Sequence, residues 1–403
     1  MRQLPDSYLT EEVQDFLLSH EKDDVQKLLL KQKTTLGVPT EWIAQQLMGR
    51  RKARTKLDTW YRSGGIVYPP SLNLEQSSSE ATGKFKATIL EDFCANKEMK
   101  GVDLTGGFGI DTFFLSQKVH HIDCVEPNGE LLKIAEHNHR LLAAENISYH
   151  HSTAEAFIHS TKQKFDFVYI DPSRRKGQQK TYRLTDSEPD IAKLQAEIMS
   201  KSKYLLVKTS PLLDLQQGFK ELKHAIKIYV VAVENECREL LFLLQNNYSG
   251  VPSIHAINLD RAGEIISNSL FTLEGEANAV AKYSSPLTYL YEPNAAIMKA
   301  GAFKWVAESY QLDKLAVSTH LYTADDQKKD FPGRIFRVLE FVKPDKKLKG
   351  RFVNGYANII TRNYPMSVEE VKKKTGLKDG GDQYLICTQD EKEKLVMIAE
   401  RVK

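Results

Sequence analysis

Glycines and acids gathered at the ends of apolar, β-branched runs are the residues of this sequence whose types and spacing could do chemistry. In "VDLTGGFGID", Val102 to Asp111, one run ends in Thr105, Gly106, Gly107 and Gly109, with Asp103 before the cluster and Asp111 after it. Glycines at such a turn let the backbone pass close to a ligand, and the helix that follows faces it with its first amides. The next run, "DCVEPN", ends in Glu126, Pro127 and Asn128. An acid at that place, roughly 20 residues beyond the glycines, accepts both hydroxyls of a ribose in a doubly wound fold. The glycine spacing is not the G-x-G-x-x-G of a dinucleotide site, and Asp103 would repel a pyrophosphate. These residues suit a ligand with a ribose, a positive charge and no phosphate.

S-adenosylmethionine has those properties, since it joins a sulfonium and an amino group to a ribose. A second chemical signal lies in "FDFVYIDPSRRK", Phe165 to Lys176, an apolar run that opens into Asp171, Pro172, Ser173, Arg174 and Arg175. In a doubly wound sheet the end of this run faces the same crevice as the glycine turn. An acceptor there can point the lone pair of an amine at an electrophilic methyl group, and alignment is then the main contribution to rate. The arginines can stack on a base, grip a phosphate, or pair with a carboxylate such as Asp186 or Glu188. Lys208, in "VKTSP" at the end of the following run, is a candidate for substrate phosphate or for a salt bridge. Methylation of a uridine carbon would need a cysteine nucleophile. The strand end "VKTSP" holds no cysteine, and Cys237 falls in a run that reads as a hairpin.

The elements that must position these residues follow from periodicity. Between Met99 and about Asn247, β-branched runs ("KGVDLT", "HHIDCVEP", "ISYHHS", "FDFVYID", "YLLVKTS") alternate with helical segments such as "NGELLKIAEHNHRLLAAEN", where Leu131, Leu132, Ile134, Ala135 and Leu141 share a face. That alternation predicts right-handed crossovers and a doubly wound α/β sheet. "VVAVENECRELLFLL" has two strands with almost nothing between them, which predicts an antiparallel hairpin at the sheet edge. Before this region, Met1 to about Tyr61 has helical spacing, with Val13, Phe16, Leu17, Val25, Leu28 and Leu29 on one face. Within it "GRRKARTK", Gly49 to Lys56, is a dense basic run that reads either as a solvated helix face or as a phosphate-contacting patch. Gly64, Gly65, Pro69 and Pro70 mark a linker, and Glu75 to Ser79 a polar turn capping a helix with Phe85, Ile89 and Phe93.

Beyond the α/β region, "EPNAAIMKAGAFKWVAESY" predicts a helix, "GRIFRVLEFV" a strand, "SVEEVKKKTG" a helix and "GGDQYLICTQ" a strand. Phe331 to Lys403 carries 16 lysines and arginines against 10 acids, so the positive charge is concentrated there although the whole chain is only +3. The expected domains are 1–70 (helical), 71–256 (α/β), 257–330 (mixed α and β) and 331–403 (basic α+β).

Composition narrows the class. With 41% hydrophobic and 27% charged residues the chain is globular rather than disordered. No apolar stretch approaches the roughly 20 residues needed to cross a bilayer, and the first residues lack a signal-peptide pattern. A cytoplasmic protein is expected. Cys94, Cys124, Cys237 and Cys387 form no C-x-x-C pair, so neither zinc nor a disulfide framework is suggested and each is expected to be a small buried hydrophobe.

Together, "VDLTGGFGID", "VEPN", "IDPSRR" and the last hairpin resemble a class I S-adenosylmethionine-dependent methyltransferase over roughly Leu72 to Asn247. More closely, "EQSSSEATGKFKA", "DPSRR" and "VENECRELL" resemble methyltransferases that carry a ferredoxin-like segment and a C-terminal THUMP-like domain, across nearly the whole chain. The resemblance implies a Rossmann-like seven-stranded sheet with an antiparallel last strand. It also implies that Thr105, Gly106, Gly107 and Gly109 wrap the methionine part, that Glu126 holds the ribose, and that Gln76, Ser77 and Ser78 close over the cofactor. Many such enzymes place an acid on the adenine after the third strand; here "HSTAEAF" offers Thr153, Ala154 or Glu155. Amino-group methyltransferases of this fold follow Asp-Pro with an aromatic, whereas this chain has Ser173, Arg174 and Arg175, which keeps an RNA substrate (tRNA or rRNA) in view. The expected function is methylation of an exocyclic base amine in RNA, without a metal. The alternative is a methyltransferase-fold binding protein that is non-catalytic or acts on protein.

Overall fold

The computed structural model describes residues 8–93, 98–174 and 183–403; Cys94 and Arg175 lie outside them, as does the side chain of Arg174. The chain divides into two compact units, one of residues 1–228, 238–250 and 259–264, the other of residues 229–237, 251–258 and 265–403.

The first unit holds the doubly wound sheet. Its strands are β1 (Lys100–Asp103), β2 (His121–Val125), β3 (Ile147–His150), β4 (Phe165–Ile170), β5 (Ser202–Thr209), β6 (Ala225–Val233, to Ile228) and β7 (Glu236–Gln245, from Arg238), in the order β6-β7-β5-β4-β1-β2-β3. β1 to β5 pair in parallel, with Val102 opposite Asp123 on one side and Val168 on the other. β7 runs antiparallel to β5, Leu240 facing Thr209, as the short "VENECREL" connection predicts. Phe167, Val168, Tyr169 and Ile170 of β4 are all buried, because helices cover both faces of a parallel sheet. The carboxyl ends of β1, β2, β4 and β5 therefore open on one edge.

Among the described residues six α-helices precede β1: α1 (Glu11–Ser19), α2 (Val25–Lys31), α3 (Thr40–Lys56), α4 (Asp58–Arg62), α5 (Ser71–Gln76) and α6 (Glu80–Glu91). Val13, Leu17, Val25, Ile43 and Leu47 share a core, but Leu29 is 41% exposed: the chain turns at His20 to Asp24 and restarts with Asp24 as cap, so the expected continuous face is broken. Ser79 caps α6 by accepting from the Thr82 amide, as the polar turn predicts. Between the strands stand α7 (Ile110–Ser116), α8 (Gly129–Leu141) and α9 (Ala154–Ser160), then α10 (Ile191–Lys201) and α11 (Leu215–Glu221). α8 buries Leu131, Leu132, Ile134 and Ala135, but Leu141, its last residue, is 46% exposed. Trp60, Leu74, Phe113, Phe114 and Ile134 form one cluster, so α4, α5, α7 and α8 share a core.

The second unit contains the rest of β6 (from Tyr229) with β8 (Ser253–Leu259, to Asn258) and β9 (Ile265–Phe271) in the order β9-β8-β6. The β6–β7 hairpin is therefore not at the sheet edge, contrary to expectation. A separate seven-stranded sheet follows. Its strands are β10 (Tyr289–Pro293), β11 (Asp313–Ala316), β12 (Thr319–Ala324), β13 (Gly333–Phe341), β14 (Asn358–Thr361), β15 (Gln383–Gln389) and β16 (Lys394–Arg401), in the order β11-β12-β10-β13-β16-β15-β14. Leu290, Leu315, Phe336, Ile386 and Met397 fill its core. The helix expected over "EPNAAIMKAGAFKWVAESY" is two, Ala295–Ala300 and Phe303–Ser309, because Gly301 takes a left-handed conformation (φ 75°) that ends the first. The helix Val368–Thr375 has a complete capping box between Ser367 and Glu370 and stops at Gly376. Among the described residues no helix is long and apolar enough to cross a membrane.

Candidate functional site

At the end of β1 the backbone turns on the glycines. The Gly106 amide donates to the Val125 carbonyl (2.9 Å), and a Cβ on Gly106 would stand 2.4 Å from Cys124 Sγ, so no side chain fits between the turn and β2. Gly109 caps α7 with φ 87°. Behind it, buried His139 donates from Nε2 to the Gly109 carbonyl (2.8 Å) and accepts at Nδ1 from the Tyr149 hydroxyl (3.0 Å). Burial lowers this histidine's pKa to about 4, so it serves as a neutral buttress.

Glu126 lies across the turn. One carboxylate oxygen accepts from the Gly107 amide (2.8 Å) and the other from the Asn128 amide (2.9 Å). Two backbone donors thus fix the plane of the carboxylate and leave each oxygen a further lone pair. Asn128 caps α8, and Pro127 beside it is exposed.

Two more acids sit beneath. Asp103 accepts from the Thr105 amide (2.9 Å) and from the Thr112 hydroxyl (2.6 Å). Burial outweighs those bonds and pushes its carboxyl up to about 7. Asp111 accepts from the hydroxyls of Ser78 and Tyr169, both at 2.7 Å and both on the same oxygen. Its other oxygen receives no hydrogen bond, although Lys86 Nζ is 3.3 Å away. Burial opposes ionisation of Asp111, but Lys86, Lys208 and the two hydroxyls prevail and hold the carboxyl below its usual range.

Asp171 follows β4. Its amide donates to the Thr105 hydroxyl (2.7 Å), which ties the acid to the glycine turn, and its carboxylate is paired with Lys208 at the end of β5. The lysine is sunk in the structure; burial works against its charge, yet Asp171, Glu239 and Asp111 outweigh it and raise its pKa. Of the two roles open to Lys208 in the sequence, the structure supplies the carboxylate. Pro172 is buried and Ser173 exposed, where it pairs in a two-residue ribbon with Glu188 and donates to its carbonyl (3.3 Å).

Elsewhere along this edge, Thr153 caps α9, leaving Ala154 buried and Glu155 exposed. Ser77 ends α5 and Gln76 is exposed. Cys237 is the second residue of β7, within the hairpin, and is only partly buried, whereas Cys124 and Cys387 are buried as expected. Among the described residues no cluster of histidine, cysteine, aspartate or glutamate is arranged to hold a metal.

Sequence reasoning missed Lys86, Glu239, Tyr169, Thr112 and His139. Lys86 is fully buried and donates to both oxygens of Glu239 (2.7 and 2.9 Å). The signal for this pair is present: a lysine among the apolar positions of "GKFKATIL" and a glutamate immediately before "LLFLL".

A crystal structure of a candidate methyltransferase from Porphyromonas gingivalis W83 superposes with a TM-score of 0.85, at 31% identity, over 97% of this chain and 98% of that one. The chain belongs to this methyltransferase family. Residues 289–332 of this family member match the ferredoxin-like domain and residues 333–401 the THUMP domain-like family. A curated relative, an uncharacterized RNA methyltransferase of Mycoplasma mobile, is 26% identical over 138 residues, 34% of this chain. The match spans 38% of that relative's length. The methyltransferase sheet with its antiparallel last strand, the ferredoxin-like segment and the THUMP-like domain are those expected from the sequence.

Proposed function

We propose that this methyltransferase uses S-adenosylmethionine to methylate an exocyclic amine of a base in structured RNA, tRNA or rRNA, in the cytoplasm. The observation that carries the reading is the placement of Glu126 and Asp171 on either side of one glycine turn, each tied to it by a hydrogen bond. The donor set fits the cofactor: Glu126, fixed by two backbone amides, keeps a further lone pair on each oxygen for the hydroxyls of a ribose. The second oxygen of Asp111, by contrast, already faces Lys86. Bound S-adenosylmethionine would supply an electrophilic methyl group on a good leaving group. Glu126 would accept from the ribose hydroxyls, Thr105 and the glycine amides would line the methionine part, and Ala154 or Glu155 would border the adenine. Asp171, held by Lys208, would accept an N–H of the target amine and so aim its lone pair, with Pro172 fixing the turn. Ser173, Arg174 and Arg175 would meet the substrate.

RNA is supported by the C-terminal unit. The turn Lys346–Arg351 and the helix Val368–Thr375 pack through Leu348 and Val371. They expose Lys346, Lys347, Lys373 and Lys374, which have no ion-pair partner among the described contacts. Lysines in this arrangement contact phosphate as point charges without reading sequence. The four-part division 1–70, 71–256, 257–330 and 331–403 is part of this proposal. Incubation with radiolabelled S-adenosylmethionine and total RNA from cells lacking the gene should label RNA, and Asp171→Ala should abolish the label. Absence of transfer to RNA, or equal transfer by the variant, overturns the reading; label in protein favours the protein-directed alternative.

A further inference from the structure

The basic run "GRRKARTK" forms the second half of α3, and four of its five cations have partners inside the first unit. Arg50 pairs with Glu21 (2.9 Å), and Arg51 donates to the carbonyls of Glu21 and Asp23. Lys52 pairs with Glu75, and Lys56 donates to the carbonyls of Leu74 (2.7 Å) and Glu75 (2.9 Å). The last two contacts converge on the carboxyl end of α5, whose terminal carbonyls have no partners within the helix. Just downstream, the Thr59 amide and hydroxyl both donate to Glu80, each at 2.8 Å, at the start of α6. The stretch Gln76 to Ser79 is therefore held at both ends by α3 and α4. From its middle, Ser78 reaches Asp111 (2.7 Å), beside the Tyr169 hydroxyl.

We infer that Lys56 and Lys52 are positioning residues for the cofactor site: they clamp the end of α5 so that Ser78 meets Asp111. This rests on the S-adenosylmethionine reading above, and it assigns the basic run to the methyl-donor side of the reaction rather than to RNA. The clamp is stiff because its parts share one core, Ala53, Leu57 and Trp60 packing with Leu74 and Phe113. Lys56 is half-buried, and burial first, then the charges of Lys208 and Lys52, lowers its pKa to about 8. A lysine so placed is retained where its hydrogen bonds are needed. Arg54, on the exposed side of the same run, has none of these contacts among those described and is the internal control.

The test measures hydrogen–deuterium exchange of the peptide covering Ser71 to Glu80, with Phe165 to Ile170 as reference, alongside calorimetric titration with S-adenosylmethionine. In Lys56→Met, exchange of Ser71 to Glu80 should rise about five-fold while the reference stays unchanged. Cofactor affinity should fall about ten-fold, the loss expected for one charge-assisted hydrogen-bonded contact. Lys56→Arg should restore both, Lys52→Ala should show a weaker form of the same effect, and Arg54→Ala should change neither. If exchange of this peptide is unaltered in both Lys56→Met and Lys52→Ala, the clamp is overturned whatever the cofactor. If exchange rises while the wild type has no affinity for S-adenosylmethionine, the clamp stands and the cofactor reading falls.

Discussion

Lys208 and Asp171 form an ion pair across the carboxyl ends of two adjacent parallel strands, β5 and β4. The acid that would aim the substrate amine thus has its own position fixed by a lysine with little solvent access. Lys208→Met should leave Asp171 without its cation and cost about 2 kcal/mol, less than a fully buried pair because Asp171 keeps some contact with water. The double variant Lys208→Met/Asp171→Asn should recover most of that stability and none of the methyl transfer. Denaturant titration of the two variants checks this, and an equal stability loss in both would remove the pairing as its cause.

Asp103 gives the protein a specific pH dependence. Its carboxyl titrates near 7 in the folded chain, chiefly through burial, against about 3.9 when unfolded. Between those values the folded state keeps a proton that the unfolded state has lost, so this group's contribution to stability falls as pH rises and levels off above about 7. Asp103→Asn removes the ionisation, and its amide oxygen can still accept from Thr105 while the Thr112 hydroxyl turns to accept from the new NH2. Relative to the variant, the wild type should lose stability by on the order of 1.4 kcal/mol per pH unit within that window. Unfolding free energies at pH 5, 6 and 7 measure the slope, and parallel curves would refute it.

The two signals that carried most of the fold are local in the chain. Alternating β-branched and helical segments fixed β1 to β5, and the short link at Glu234 and Asn235, both with positive φ, fixed the antiparallel β7. The glycine turn, Glu126 and Asp171 were legible because strand ends in a parallel sheet are brought together by topology alone. What was not legible depends on distance. Lys86 and Glu239 are 153 positions apart, and only the packing of α6 against the sheet makes them partners. The same holds for "GRRKARTK": its charge density invites a phosphate, and only the fold shows Leu74 and Glu75 beneath it. The break at Gly301 was missed for a different reason, since a single glycine within strong helical periodicity does not announce whether it takes a left-handed conformation.

Gly109 and Gly107 separate strain from clash in the turn. An alanine at Gly109 needs φ 87° and puts its Cβ 2.5 Å from His139 Nε2 and 3.0 Å from the Ala135 Cβ. Gly109→Ala should cost about 3 kcal/mol, combining the left-handed penalty with displacement of the buttress. At Gly107 the φ is 54° but the nearest atom to a Cβ is the Thr105 carbonyl oxygen at 3.7 Å. Gly107→Ala should cost only about 1 kcal/mol. Thermal melts of the two variants test the order, and a reversal would mean that His139 yields freely.

In the second unit Glu292 joins the ferredoxin-like segment to the THUMP-like domain. It accepts from Arg334 Nε (2.7 Å) and Arg362 Nε (2.8 Å) while itself almost fully buried. Both arginines keep part of their surface in water, so they can rehydrate when the carboxylate is lost. Glu292→Ala should therefore lower the stability of this unit by about 2 kcal/mol, below the range for a wholly buried pair. The exposed lysines at 346, 347, 373 and 374 do not touch Glu292, but their common surface depends on the sheet it braces. The variant should bind total tRNA more weakly in a gel-shift titration, and salt should weaken the wild type steeply. Its calorimetric affinity for S-adenosylmethionine should equal that of the wild type, because the glycine turn, Glu126 and Asp171 all lie in the first unit. Unchanged RNA binding in Glu292→Ala despite a measured loss of stability would shift the substrate contact away from the THUMP-like domain and towards the segment after Asp171.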